Sequence, residues 1–387
     1  MVQDVRILAF FGGVARLGSE RANLEALSAL VQAGCVVRLI VSDAPGAKSI
    51  RDDVVTRGFE VVPCPYLLVP RSDRRLQLLA AYPAIIARAS WILFQQMRRF
   101  RPTYIYASSQ MFILNFLPVL LLTNTPLIYR CGDKPIMHNA LFRMIWRFIV
   151  RRARRVVAVS HYIANVLRET GILAGRITVI YSRPASRSVE TPMLARSSGE
   201  FTFVFVGQIN ESKGCHFLIE AFRGVLESHP EARLLVAGRI SDWEGDNWAR
   251  ALRDGARADP TLAATVNFCG FVEDIQGLLA AGEVVVIPTI TEEPLANVVM
   301  EAKLAQRPSI IFPSGGLPEV IEHGVDGFLC TDKSVASLRD AMVWYLERRG
   351  EARSQGQAAR RSLDRLGTNA FVDRWAEVIG QNDRDAA

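Results

Sequence analysis

The chain has 387 residues, half of them hydrophobic and 22% charged, so it is too long for one ordinary core and too apolar for a disordered polypeptide. Its formal charge of +7 is uneven: residues 1–183 hold 25 Lys/Arg against 10 Asp/Glu, and the remainder holds 21 against 29. A basic half joined to an acidic half implies an anionic partner on one side only.

Residues 5–11 (VRILAFF) read as a first strand and lack both the long apolar core and the small-residue cleavage site of a signal peptide. Gly12-Gly13 and Gly18-Ser19 follow, then a helix, Gly34 and a second strand from Val36 to Val41. These glycines do not complete a G-x-G-x-x-G; they read as a tight strand-to-helix turn or as a ligand-facing loop. Strand and helix patterns keep alternating through Tyr104–Ala107, Leu127–Tyr129, Val156–Ser160 and Ile177–Ile180, the signature of βαβ units. Residues 111–122 are strongly apolar but too short to span a bilayer, which takes about 20 residues, so a buried helix is expected.

Between Asp73 and Asp133 there is no acidic residue. Arg143, Arg147, Arg151 and Arg155 recur at i+4 and predict a basic helical stripe, with Leu141, Ile145, Phe148 and Ile149 on the other face and Arg152 and Arg154 adding charge. A second segment, Ile85 to Phe100, mixes Trp91, Ile92, Phe94 and Met97 with Arg88, Arg98 and Arg99. A solvated helix face over a core explains the apolar residues, but not the missing acids. An anionic membrane surface, touched peripherally, or a phosphate-bearing acceptor explains both. Nucleic acid is not expected, since neither an aromatic single-strand platform nor a reading helix is evident. His138 lies in a loop after Lys134-Pro135 and reads as a structural histidine or as a substrate contact.

Residues 181–200 are polar, with two prolines, and read as a linker. A second α/β series then starts at Phe201 and continues through Arg233–Ala237, Thr265–Phe268, Val284–Ile287 and Ser309–Phe312. Gly207, Gln208 and Lys213 sit in its first strand–loop–helix unit. Lys213 is either a surface lysine or a point charge for a phosphate, and the context favours the second. After Val284–Ile287 comes a loop with Glu293, and Asn297 is placed to cap a helix carrying Val298 and Glu301. The backbone N–H groups of Leu295, Ala296, Asn297 and Val298 would face an anion beyond the carboxyl end of the strand. Glu293 and Glu301 could be a solvated loop acid and an early-helix acid. Flanking an anion site, they fit a ligand that carries hydroxyls beside its phosphate, because a carboxylate accepts hydrogen bonds from a diol. That ligand is a nucleotide sugar.

Pro288, Glu293, Glu301-Ala302, Gly315-Gly316, Pro318-Glu319 and Asp326-Gly327, in this order and spacing, resemble the donor-site signature of glycosyltransferase family 4. The resemblance is tight over most of 200–330 and looser before it. It implies the GT-B fold, two Rossmann-like domains facing across a cleft: residues 1–183 with 371–387 crossing back would bind the acceptor, and 184–370 the donor. It further implies that the 12–19 loop, with Gly18 and Ser19, faces that cleft, and that the backbone of Gly270, Phe271 and Val272 reads the nucleobase. Glu301 would hold the ribose, Glu293 the transferred sugar, and Lys213 the departing diphosphate. An arginine usually stands five residues before this lysine; here the residue is Gln208, so one charge on the leaving group's side is missing.

The expectation is a retaining, metal-independent glycosyltransferase using a nucleotide sugar and a lipid-linked or glycan acceptor. It would be cytoplasmic, at the inner face of a membrane, and serve cell-surface polysaccharide or glycolipid synthesis. A same-fold epimerase or hydrolase, and a silent sugar-nucleotide binding protein, are the alternatives. No metal or cofactor is expected: the five histidines lack ligand spacing, and the Asp383-Arg384-Asp385 triplet reads as solvated tail. The six cysteines, at 35, 64, 131, 215, 269 and 330, show no pairing rhythm and fit a reduced compartment.

Overall fold

The computed structural model describes residues 5–12, 18–65, 75–184, 199–240 and 247–380, with the backbone alone for 75–81. Gly13, most of the expected linker and the Asp383-Arg384-Asp385 triplet lie outside these. The chain divides into one unit of residues 1–183 with 369–387 and a second of 184–368.

In the first unit, β1 (Arg6–Phe11), β2 (Val36–Ser42), β3 (Glu60–Cys64), β4 (Tyr104–Ala107), β5 (Leu127–Cys131), β6 (Ala153–Ala158) and β7 (Ile177–Val179) form one parallel sheet, ordered β3-β2-β1-β4-β5-β6-β7. The connecting helices are α1 (Gly18–Gln32), α2 (Lys48–Thr56), α3 (Arg75–Phe100), α4 (Gln110–Leu122), α5 (Ala140–Arg152) and α6 (His161–Glu169). Ile7 to Phe11 are all buried, as a parallel strand covered on both faces requires. The order of strands reverses between β1 and β4.

The second unit repeats the plan. Strands β8 (Phe201–Val206), β9 (Ala232–Ala237), β10 (Val266–Gly270), β11 (Val284–Ile287), β12 (Ser309–Ile311) and β13 (Gly327–Leu329) form a parallel sheet, ordered β10-β9-β8-β11-β12-β13. Its helices are α7 (Cys215–Leu226), α8 (Asn247–Ala258), α9 (Pro260–Thr265), α10 (Ile275–Ala280), α11 (Asn297–Leu304), α12 (Val335–Glu347) and α13 (Arg349–Arg365). The reversal falls between β8 and β11. In open parallel sheets the helices leave to opposite faces at such a point, which opens a crevice at the carboxyl ends of the strands.

The chain returns to the first unit through α14 (Phe371–Gly380). Phe371, Trp375, Val378 and Ile379 join the core formed with β1 and β2, and Trp375 lies 6.2 Å from the Tyr106 ring. Arg374 ties the helix to the sheet by donating to the Val179 carbonyl.

Several expectations are corrected. Strand β6 begins at Ala153, directly after α5, so Arg154 and Arg155 belong to a strand and not to the helical stripe. Arg155 is 2% exposed and donates to the Gly175 carbonyl at 2.9 Å; it faces no outside surface. Arg152 turns inward to the Thr123 and Thr125 carbonyls and the Asn124 side chain. Arg143, Arg147 and Arg151 remain exposed on α5. Leu141 is exposed at 44% rather than turned to the core, while Ile145 and Ile149 are buried. Asn297 is the first residue of α11, whose cap position is Ala296 without a side-chain bond.

Helix α11 is fixed from below by a buried ion pair. Lys303 and Asp326 side chains are 0% and 1% exposed, with Nζ 2.8 Å from Oδ2; Nζ also donates to Ser362 Oγ of α13 at 2.9 Å. Asp326 Oδ1 accepts the Glu322 N–H at 2.8 Å, and Arg365 adds a contact at 3.3 Å. Removing one partner of such a pair strands the other's charge. Lys303→Ala should therefore lower stability by about 3–5 kcal/mol in urea unfolding, against under about 1 kcal/mol for an exposed pair such as Arg253–Asp254. Equal losses at the two sites would show that burial does not govern the pair.

Candidate functional site

Four loops leave the carboxyl ends of β8, β11, β12 and β13, and two adjacent glutamates tie them together. After β8 the chain makes a short 3-10 turn, Glu211–Lys213, capped by Asn210, whose Oδ1 accepts the Lys213 N–H at 3.0 Å. Gly214 follows with φ +70°, and a Cβ there would lie 1.9 Å from the Pro288 carbonyl oxygen. Only glycine lets this turn press against the end of β11. The Ile290 N–H completes the contact by donating to the Ser212 carbonyl at 3.0 Å.

This packing brings Lys213 Nζ onto Glu293 Oε2 as a close ion pair. The side chains are 29% and 14% exposed, so the pair is shielded yet open to a ligand. It spans the β8/β11 reversal. Glu292 works in the opposite direction: Oε2 accepts the Gly315 N–H at 2.8 Å and Oε1 pairs with Lys333 Nζ at 2.9 Å. Lys333 also donates to the Ile290 carbonyl at 3.0 Å. The Glu293 carbonyl accepts the Gly316 N–H at 2.8 Å. Glu292 and Lys333 escaped sequence reasoning; the doubled glutamate was the available signal, since one of two adjacent loop acids has to point away from the ligand.

The other expected donor-side residues gather on the same edge of the second unit. Leu295 and Ala296 are buried and lead into α11, with Asn297 and Val298 half-buried in its first turn. Glu301 is buried on α11, and its backbone carbonyl accepts from Gln276 Nε2 at 3.3 Å. Gly207 is half-buried directly after β8, and Gln208 accepts from Asn210 Nδ2 at 3.3 Å. Gly270 ends β10 with φ +69°, its carbonyl taking the Gly238 N–H at 2.8 Å. Phe271 beside it is 49% exposed under the Arg239 guanidinium, 4.4 Å from the ring centroid, and Val272 is half-buried.

In the first unit, Gly18 and Ser19 open α1, and the Ser19 carbonyl accepts from Asn23 Nδ2 at 2.9 Å. His138 is exposed, with Nε2 3.0 Å from Asn139 Nδ2 and its ring 5.4 Å from Phe142. Asn139 uses its other end to cap α5 at the Phe142 N–H. Among the described residues, no helix is long and apolar enough to cross a membrane.

Gly315 has φ +53°, and a Cβ on it would fall 2.2 Å from the Glu293 carbonyl oxygen. Gly315→Ala should cost about 1–3 kcal/mol and push the 289–296 loop outward. Hydrogen exchange should accelerate in that loop and stay unchanged in β8 and β9. Unchanged exchange at 289–296 would mean that the close approach does not hold the loop.

Residues 200–348 match the family described as glycosyl transferases group 1, and residues 18–182 match the glycosyl transferase 4-like domain. Spore coat protein SA of Bacillus subtilis (strain 168) is 36% identical over 140 residues, 35% of this chain and 36% of that protein. Glycogen synthase of Mycobacterium tuberculosis (strain ATCC 25618 / H37Rv) is 29% identical over 223 residues, 56% of this chain and 51% of that one. The chain thus spans about a third to a half of the length of these curated relatives. Among solved structures, Anabaena HepE in complex with UDP-glucose has the same fold, with a TM-score of 0.75 at 20% identity, over 97% of this chain and 99% of that one. One family match falls on each parallel-sheet unit, and a chain that carries them in this order belongs to the GT-B glycosyltransferases of the family 4 type.

Proposed function

We propose that the chain transfers a sugar, with retention of configuration, from a nucleotide diphosphate donor held by its second unit to a lipid-linked or glycan acceptor held by its first. The observation that carries this reading is the Lys213–Glu293 pair across the strand-order reversal. An ammonium and a carboxylate that neutralise each other at rest are what a diphosphate sugar divides on binding: the lysine turns to the phosphate and the carboxylate accepts from sugar hydroxyls. The UDP-glucose bound to HepE supports a donor of this class. Retention follows the family resemblance, and a role in cell-surface polysaccharide or glycolipid synthesis belongs to the same reading.

Each residue then has its own kinetic signature. Glu301 is assigned to the ribose, which does not change during the reaction. Glu301→Gln, chosen because the site is buried, should raise the donor KM about 10- to 100-fold with kcat nearly constant. Lys213 opposes charge that grows on the departing phosphate, so Lys213→Ala should lower kcat by about 2–4 kcal/mol of barrier. Glu293→Gln should damage both parameters and blur the choice between hexoses. Lys213 and the amides leading into α11 supply fixed positive potential, so turnover should persist in chelator. Steady-state rates with a nucleotide-sugar panel, following mass gain on the acceptor, check all of this. Donor consumption without acceptor gain would favour an epimerase or hydrolase; binding without turnover would favour a silent binding protein. Reversed signatures for Glu301 and Lys213 would exchange their assignments.

The acceptor side is read as peripheral to an anionic membrane at the cytoplasmic face. Arg143, Arg147 and Arg151 are exposed on α5 beside Leu141 at 44% and Met144 at 49% exposure, a basic and apolar surface on one helix. Each basic residue near an anionic surface contributes about 1 kcal/mol, screened by salt. The protein should sediment with phosphatidylserine-containing vesicles at low salt, and Arg143→Glu, Arg147→Glu and Arg151→Glu together should abolish this while leaving donor affinity unchanged. Salt-insensitive sedimentation, or none, would refute the attachment.

A further inference from the structure

Arg130 is a buried cation without a carboxylate. It is the fourth residue of β5, 4% exposed, and its side chain lies at the carboxyl edge of the first unit's sheet. Its NH2 donates to Ser182 Oγ at 3.1 Å, just beyond β7, and its NH1 reaches Asn23 Oδ1 at a long 3.4 Å. That oxygen is already engaged by the Tyr106 hydroxyl at 2.7 Å. The partners are all neutral, so among the described residues nothing balances the charge. Neither Glu25 nor Asp133 forms an ion pair with Arg130 among the described residues. Glu25 of α1 is paired with Arg57 at 2.9 Å and Arg183 at 3.0 Å, and Asp133 accepts the Lys134 N–H at 2.7 Å. Arginine does not escape the cost of burial by releasing its proton at physiological pH, and a buried charge without a counter-charge is expensive to keep.

The covering over this guanidinium is thin at one place. Gly132 is exposed, and a Cβ built on it would meet a single neighbour within 4 Å, the Arg130 NH1 at 3.4 Å. Among the described residues beyond its chain neighbours, no other atom comes within 4 Å of that Cβ position. Lys134, two residues on, is exposed and lies 5.1 Å from the Tyr162 ring, which adds positive potential to the same loop. The other buried arginine, Arg155, lies on the neighbouring strand β6, in register with Ile128 two residues before Arg130, and reaches the Gly175 carbonyl instead.

We propose that Arg130 is an acceptor-recognition residue: an oxyanion of the acceptor, phosphate monoester or carboxylate, approaches over Gly132 and supplies the missing counter-charge. The guanidinium offers five N–H donors in a fork suited to either group, and among the described residues two acceptors meet them. This rests on the reading of the first unit as the acceptor side, and it narrows the acceptor to one that carries a negative charge next to the hydroxyl to be glycosylated.

The test uses the full chain saturated with UDP, so that phosphate cannot report the donor site. Methyl phosphate and sodium acetate, in separate arms that distinguish the two oxyanions, are titrated while thermal unfolding is followed. At ten times its Kd, at least one probe should raise Tm by about 2 °C in the wild type. Arg130→Gln should abolish the shift. Gly132→Leu should abolish it too, with its UDP affinity unchanged, because Gly132 is not a positive-φ glycine and a Cβ there meets the Arg130 NH1 at 3.4 Å. If Arg130→Gln fails to fold, Gly132→Leu decides alone. No shift with either probe in the wild type, or a shift that survives in Gly132→Leu, overturns the proposal. If UDP itself does not bind, the donor reading fails, and the comparison of wild type with Gly132→Leu still judges this one.

Discussion

The second unit depends on one arrangement of charge, in which two consecutive glutamates, 292 and 293, face opposite ways and each meets a lysine from a different loop. A parallel sheet fixes its strands but leaves the loops at their carboxyl ends without ladder partners, and at the β8/β11 reversal the helices diverge as well. Loops there need other ties. Glu292 joins the β11 loop to those after β12 and β13, while Glu293 joins it to the turn after β8. The two ties differ in shielding. The Glu292 side chain is 46% exposed, a range in which an ion pair contributes little by itself and geometry comes from the added N–H of Gly315. Glu293 is 14% exposed, so its pairing with Lys213 is felt more strongly, and it is the pair that a ligand has to separate. The supporting tie is thus the one that a ligand can leave intact.

Much of this was legible in the residues. The strands read at residues 5–11, from Phe201 and at Val284–Ile287, alternating with helices, announced parallel sheets. The doubled glycine at 315–316 stood in the family signature, and the structure shows what it admits, the Glu293 carbonyl. Two edge strands escaped notice for different reasons. β3 contains Pro63, which a central strand would reject but an edge strand accepts, and β13 is three residues long, below any periodic signal. The arginine stripe failed at its end because i+4 spacing carries no information on where a helix stops. Residues 143, 147 and 151 obey the helix; at Ala153 the chain enters β6 without a linker, and the next arginine in the series is carried inside. The Lys213–Glu293 pairing was not legible at all. The two residues lie 80 positions apart, and what joins them is the adjacency of β8 and β11, a matter of strand order.

The buried cations of the two units show the same principle with opposite results. Burial pulls the Lys303 ammonium below the usual lysine range, and Asp326 opposes that pull from 2.8 Å with Ser362 completing the shell. That site is closed: its charge is cancelled inside the protein, and its effect is to lock α11, and with it Glu301, against α13. Burial also pulls the Arg130 guanidinium below the usual arginine range, but what opposes it is a tyrosine and a cysteine, neither of them ionised at neutral pH. Burial pushes the thiol of that cysteine, Cys131, up to about 12. If Arg130 served only to tie α1 to the ends of β5 and β7, a neutral side chain able to donate two hydrogen bonds would do so without a buried charge. The charge is therefore the part of Arg130 that packing does not explain, and it lies at the strand ends where a parallel sheet receives its ligands.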